Sequence, residues 1–234
     1  MQFKINGERN SGTNFLKNLL EINFGGSFEQ EIRKNVKYFW KHGIPSNLIK
    51  KKFPGIVDIF IFRELNPWLI SMFKNPYHLK KFNIFKNFLT KKQESVEKKF
   101  IDFRTKKTIN IDDNNKTIFQ IRYFKFKKMF EYLENNNDVV IINLECLQND
   151  ILCKRFLEKL QEEYGFKPKV DEFITNIPHT KSKKDNQKNR DYGIDISPYQ
   201  NIIDKNKYPE IEKNIHNLFL IKSHNKVVRV TLKE

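Results

Sequence analysis

The sequence predicts an α/β fold, a mainly parallel sheet covered by helices on both faces. Three observations carry this expectation. Short apolar runs of strand length alternate along the chain with longer stretches whose apolar residues recur at helical spacing. The runs "IVDIFIF" (56–62) and "DVVIINL" (138–144) are nearly continuous in apolar residues, as strands buried on both faces are. A glycine-bearing loop, "GERNSGTNFL" (7–16), joins the first strand to the first helix, and open α/β sheets hold ligands at such junctions. At 234 residues the chain is long enough for one domain with a real core, so 1–234 is read as a single domain.

The elements follow in order. "MQFKIN" alternates and stops at Gly7, as a short strand does. "TNFLKNLLEINF" carries Phe15, Leu16, Leu19, Leu20 and Ile22 on one helical face, ended by Gly25-Gly26. "NVKYFW" (35–40) is a second strand and "IVDIFIF" a third. Asn66-Pro67 opens the next helix, with proline where a first turn tolerates it. Residues 74–107, rich in lysine and aromatics, form an inserted helical lobe or long loop. "IFQIRYFKFKKMFEYLE" (118–134) is a helix, residues 138–144 a buried strand, and "LCKRFLEKLQEEYGF" another helix. "KSKKDNQKNRDYG" (181–193) has no apolar face and is a loop. A helix near 209–218 and a late strand, "KVVRVTL", finish the chain.

Charge and cysteine content narrow the function classes. Forty-four lysines and arginines face 28 acidic residues, a net charge of +16. That favours an anionic partner, although the lysines are spread along the chain rather than gathered in one tail. Cys146 and Cys153 make neither a disulfide framework nor a zinc pattern, and they fit core packing in a reducing compartment. No secretory signal is read at the start, and the longest apolar stretch is too short to span a bilayer, so a cytoplasmic location is expected.

The loop itself resembles a phosphate loop without its lysine. Gly7 and Gly12 stand at the spacing of G-x-x-x-x-G-K-[ST], but Thr13 and Asn14 occupy the lysine and hydroxyl positions. The predicted architecture is therefore a P-loop-type sheet. A helix start binds phosphate through backbone N–H groups without any lysine, and Ser11, Thr13 and Asn14 add side-chain donors. Without the lysine and the metal-binding hydroxyl, triphosphate chemistry is not expected. Arg63 ends the third strand and Ser71 lies eight residues on, on the following helix, so the two can face one phosphate. Lys41 and His42 follow the second strand at the same edge, and His42 is a candidate general base.

Taken together, these segments resemble the sulfotransferase family, whose members use 3′-phosphoadenosine 5′-phosphosulfate. "GERNSGTNFL" is similar to the family's 5′-phosphosulfate loop and "FRELNPWLIS" to its 3′-phosphate motif. "WKHGIP" resembles the segment that carries the catalytic base, and "VVIINLECLQND" the strand and acidic turn that follow. The matching pieces run in family order over roughly residues 1–165 and look closest to divergent members from microbes, algae or large viruses. The resemblance implies a sulfotransferase-like domain that takes the phosphosulfate donor and releases adenosine 3′,5′-bisphosphate without a metal. Asn10, Ser11, Gly12, Thr13 and Asn14 would hold the 5′ end, Arg63 and Ser71 the 3′-phosphate, and His42 would be the base. Lys188 and Arg190, in the 181–193 loop, would cover the nucleotide. The acceptor would be a carbohydrate or small molecule. One departure stands out: Asn10 replaces the basic residue that many members carry before S/T-G-T, leaving Arg9 or Lys41 to stabilise the leaving oxygen. Three other readings remain open: a P-loop kinase of small molecules, an anion-binding module without activity, and a nucleic-acid-binding protein whose aromatic–lysine stretch stacks on bases.

Overall fold

The computed structural model describes residues 2–24, 55–76, 79–94, 100–101, 108–109, 115–177, 193–215, 219–223 and 226–229. The expected strand at 35–40, Lys41, His42, Lys188 and Arg190 lie outside them.

Strand β1 (Gln2–Gly7) leads through the loop into α1 (Thr13–Asn23). Strand β2 (Ile56–Phe62) leads into α2 (Leu65–Lys74), and a short α3 (Phe85–Thr90) follows. Next come a small antiparallel ribbon, β3 (Phe100–Ile101) with β4 (Thr108–Ile109), and the long α4 (Ile118–Glu134). Strand β5 (Val139–Asn143) runs into the one-turn α5 (Leu144–Leu147) and then α6 (Asp150–Tyr164). A 3₁₀ turn (Ser197–Tyr199), α7 (Gln200–Asn206), α8 (Pro209–Ile215) and the strands β6 (Phe219–Ser223) and β7 (Lys226–Arg229) complete the described chain.

The main sheet has the order β1-β2-β5-β6-β7. Its first three strands are parallel; β6 pairs antiparallel with β5, and β7 antiparallel with β6. The sequence reading has the last strand but not β6, because "FLIKS" is five residues long and follows a helical run directly. Helix α1 begins at Thr13 as expected but stops at Asn23, before the glycine pair; Asn23 turns its amide onto Leu19 O and Ile174 O. The start of α4 is fixed by a capping box, in which Thr117 and Gln120 each bond the other's backbone N–H.

Strand β2 is buried at all seven positions because apolar layers cover both of its faces. On one side Val57, Ile59 and Ile61 pack with α1 and α6. On the other, Phe60 and Phe62 pack against Phe126, Met129 and Tyr132 of α4 and Ile211 of α8. A third apolar cluster joins α2, α3, the first turn of α4 and α7, and it absorbs Phe85 and Phe88 of the lysine–aromatic stretch. Cys146 and Cys153 are free thiols in the α1–α6 layer, pushed up to about 11 and about 12, mainly by burial. No helix among the described residues is long and apolar enough to cross a membrane.

Asp58 is the polar exception inside β2, fully buried. Its two carboxylate oxygens accept from the Asn6 amide at 3.0 Å and the Tyr132 hydroxyl at 2.7 Å, tying β1 and α4 to β2. Burial, with Asp58 adding to it, raises the Tyr132 phenol far above its ordinary pKa, so it stays a donor. A buried acceptor that loses its donor costs about 1–3 kcal/mol. Tyr132→Phe is therefore expected to lower the unfolding free energy by about that amount, read from the urea midpoint, without changing the m-value.

Candidate functional site

Strand register brings the site residues to one edge. Gly7 pairs with Ile61 and Phe62 with Asn143, so β1, β2 and β5 end side by side. The loop 8–12, Arg63 and Glu145 follow those three ends directly.

The loop turns tightly, and its glycines show why. A Cβ on Gly7 would lie 2.6 Å from both Ile61 O and Ser11 Oγ. Gly12 sits at φ 92°, and a Cβ there would meet Leu144 Cδ1 at 2.6 Å, so the loop can pack against the start of α5 only without one. Between them Ser11 Oγ donates to Glu8 O at 2.7 Å, closing the turn. Asn10 is also left-handed, with φ 64°. Asparagine tolerates that conformation better than a long basic residue does, which gives a backbone reason for its place before Ser11-Gly12-Thr13. Its amide donates to Asn75 O and to Met72 Sδ, both at 3.1 Å. Thus two side chains expected to donate to a ligand, Asn10 and Ser11, donate within the protein. Thr13 is buried, and Asn14 is exposed on the first turn of α1. A helix start leaves its first N–H groups without intrahelical acceptors.

Arg63 and Ser71 meet. Arg63 Nη1 donates to Ser71 Oγ at 2.6 Å and to Asn10 O at 3.3 Å. The second contact ties the arginine of one motif to the backbone of the other. On its other side Arg63 Nε lies 3.7 Å from Glu145 Oε1. Arg9 is half-buried, and its carbonyl accepts from Trp68 Nε1 at 3.0 Å, a further tie between loop and α2.

Beneath the loop lies a buried ion-pair group absent from the sequence reading. Arg122, 1 % exposed, donates from Nη1 to Glu8 Oε2 at 2.9 Å. From Nε and Nη2 it donates to Glu212 Oε1 and Oε2 at 2.9 and 3.0 Å, and from Nη2 also to Arg63 O at 2.8 Å. Its guanidinium stacks over Trp68 and Phe126, with centroids at 4.7 and 4.4 Å. One sequence signal was available: Arg122 interrupts the apolar stripe Ile118, Phe126, Met129 on α4, where a charge must be paired. Glu8 and Glu212 carry no comparable mark.

The chain matches no family model, no curated protein and no solved structure. The fold and the edge together define an α/β protein with a three-strand parallel core and a strand–loop–helix junction beside an arginine–serine pair.

Two carboxylates share the Arg122 guanidinium, and Glu8 is the deeper. Burial pushes its carboxyl from the ordinary 4.5 up to about 7, with Arg122 and Lys125 opposing and Glu212 adding to the rise. A carboxyl raised in the folded state holds a proton that the unfolded chain releases. Its contribution is fully present below about pH 4.5 and is lost as pH rises toward about 7. Relative to the protein with Glu8→Gln, the unmutated protein should lose stability across that window, as urea midpoints on either side of it would show. Parallel curves for the two proteins would contradict this.

Proposed function

We propose that the protein is a sulfotransferase, moving a sulfo group from 3′-phosphoadenosine 5′-phosphosulfate to a hydroxyl or amine on a carbohydrate or small molecule. The observation that supports this most is the Arg63–Ser71 contact at 2.6 Å, bonded in turn to Asn10 O in the loop. A charged and a neutral donor converge beside a lysine-free helix start, as a ligand with phosphate at both ends requires. In this reading Arg63 and Ser71 take the 3′-phosphate, and the backbone of Gly12, Thr13 and Asn14 takes the 5′ end. Ligand binding would exchange some internal bonds of Arg63 for bonds to phosphate. The acceptor atom attacks sulfur as the sulfur–oxygen bond to the bisphosphate breaks, and the acceptor's proton passes to His42. Arg9 and Lys41 supply positive charge near the leaving oxygen, and Lys188 and Arg190 cover the nucleotide. Lys41, His42, Lys188 and Arg190 enter by the resemblance alone, since they lie outside the described residues.

The rival readings have less support. Thr13 and Asn14 stand where a kinase needs its lysine and hydroxyl. Phe85 and Phe88, rings that would stack on bases, are buried against Phe73 and Tyr199 instead. An anion-binding module without activity differs from the proposed enzyme only in turnover.

The protein should bind adenosine 3′,5′-bisphosphate well above AMP, with no need for magnesium, in calorimetry. Charged hydrogen bonds to phosphate are worth about 1.5–3 kcal/mol, so Arg63→Ala should lose most of that preference. Equal affinity of the unmutated protein for the two nucleotides would overturn the reading.

His42→Ala should bind the bisphosphate normally but transfer sulfate about 10²–10⁴-fold more slowly. The rate of the unmutated protein should fall as pH drops through the histidine's titration, because a protonated ring accepts no proton. Unchanged turnover in the variant would place the base elsewhere.

A further inference from the structure

We infer that Glu145 is a specificity-determining residue: it is the built-in counter-ion of Arg63, and it sets the charge that the Arg63–Ser71 site accepts. The inference rests on the anion-binding part of the proposed function and adds a means of regulating it.

The geometry holds Glu145 in place without any ligand. Its own N–H donates to Asn143 Oδ1 at 2.8 Å, which starts α5. Its Oε2 accepts from the backbone N–H of Glu64 at 3.2 Å. That leaves Oε1 3.7 Å from Arg63 Nε, while Nη1 donates to Ser71 Oγ and Asn10 O. Both side chains keep some exposure, 16 % for Arg63 and 28 % for Glu145, so an anion reaching Arg63 from solvent also meets the carboxylate.

With Glu145 ionised the pair is neutral overall. A doubly charged anion then gains the attraction of one cation and suffers repulsion from one anion. A like charge close by disfavours the ionised carboxylate and raises its pKa. Anion binding and protonation of Glu145 must therefore favour each other, each to the same extent. Burial already holds the Glu145 carboxyl above its ordinary range, against N–H bonds from Glu145 itself and Glu64 and the charge of Arg63. The charged groups facing it are Arg63 and Glu64 from the β2–α2 junction, Glu64 pushing it further up, and Cys146 on its own helix is a neighbouring titratable group.

Inorganic sulfate is the probe, since it stays doubly charged through the neutral range and contributes no titration of its own. Calorimetry in buffers of different ionisation enthalpy reads affinity and proton uptake together. The unmutated protein should bind sulfate more tightly as pH falls and take up protons on binding. Glu145→Gln keeps an acceptor for the Glu64 N–H; it should bind sulfate about tenfold or more tightly at neutral pH, the equivalent of one pKa unit, and take up no proton. Arg63→Ala should lose the effect. Equal affinity and equal proton uptake in the unmutated and Glu145→Gln proteins overturn the inference, as does weaker binding by the variant, which would mean that the carboxylate only positions the arginine. Failure of both proteins to bind sulfate overturns it together with the anion site. Should the sulfate results hold while adenosine 3′,5′-bisphosphate binds no better than sulfate, the inference stands and the sulfotransferase reading falls. Should the bisphosphate bind well while the variant behaves as the unmutated protein does, the reverse follows.

Discussion

The buried guanidinium of Arg122 joins four parts of the chain: α4, which carries it, the loop after β1 through Glu8, the end of β2 through the Arg63 carbonyl, and α8 through Glu212. Desolvating these charges is expensive; the guanidinium's bonds to Glu8, Glu212 and Arg63 O offset it, while Glu8 Oε1 is buried without a hydrogen-bond partner among the described residues. The planar fork of arginine reaches all three acceptors at once, where a lysine ammonium presents a single compact charge. Loss of one partner from such a buried group costs about 3–5 kcal/mol, because the remaining charge is stranded. The cost would fall on the site as well as on stability. Arg122 holds the backbone of Arg63 and the side chain of Glu8, the two points that flank the candidate site.

Above that anchor, backbone conformation decides much of what the loop can present. Asn10 and Gly12 both lie at positive φ, and between them Ser11 turns its hydroxyl back on Glu8 O. A long basic side chain at position 10 would meet the left-handed penalty of about 1–2 kcal/mol. It would also lose the two amide bonds that tie this corner to the end of α2. Position 10 therefore contributes bonds within the protein rather than a charge of its own.

Arginine and carboxylate alternate across this edge. Arg122 lies between Glu8 and Glu212, and Arg63 beside Glu145. Arg122 and Glu8 are nearly inaccessible and serve as a fastener, while Glu212 keeps partial exposure. The shallow pair, Arg63 and Glu145, keeps partial contact with solvent.

Most of the element types are legible in the sequence because their causes are local. Strand and helix periodicity, the Asn66-Pro67 start and the glycines of the loop each act within a few residues. So does the eight-residue interval that brings Arg63 to Ser71 across one turn. The antiparallel β6, by contrast, is too short to carry a period, and its pairing with β5 and β7 defines it. The pairing of charges was equally hidden. Glu8 and Arg122 are 114 residues apart, Arg122 and Glu212 are 90 apart, and no local pattern links them. Glu145 reaches Arg63 because Phe62 and Asn143 are in register, a relation between two strands that neither strand encodes alone. The sequence by itself determined most of the longer strands and helices, and that Arg63 follows the end of β2. Tertiary structure alone decided which charges face each other there, because a charge finds its partner through strand register and helix packing, which depend on the whole core at once.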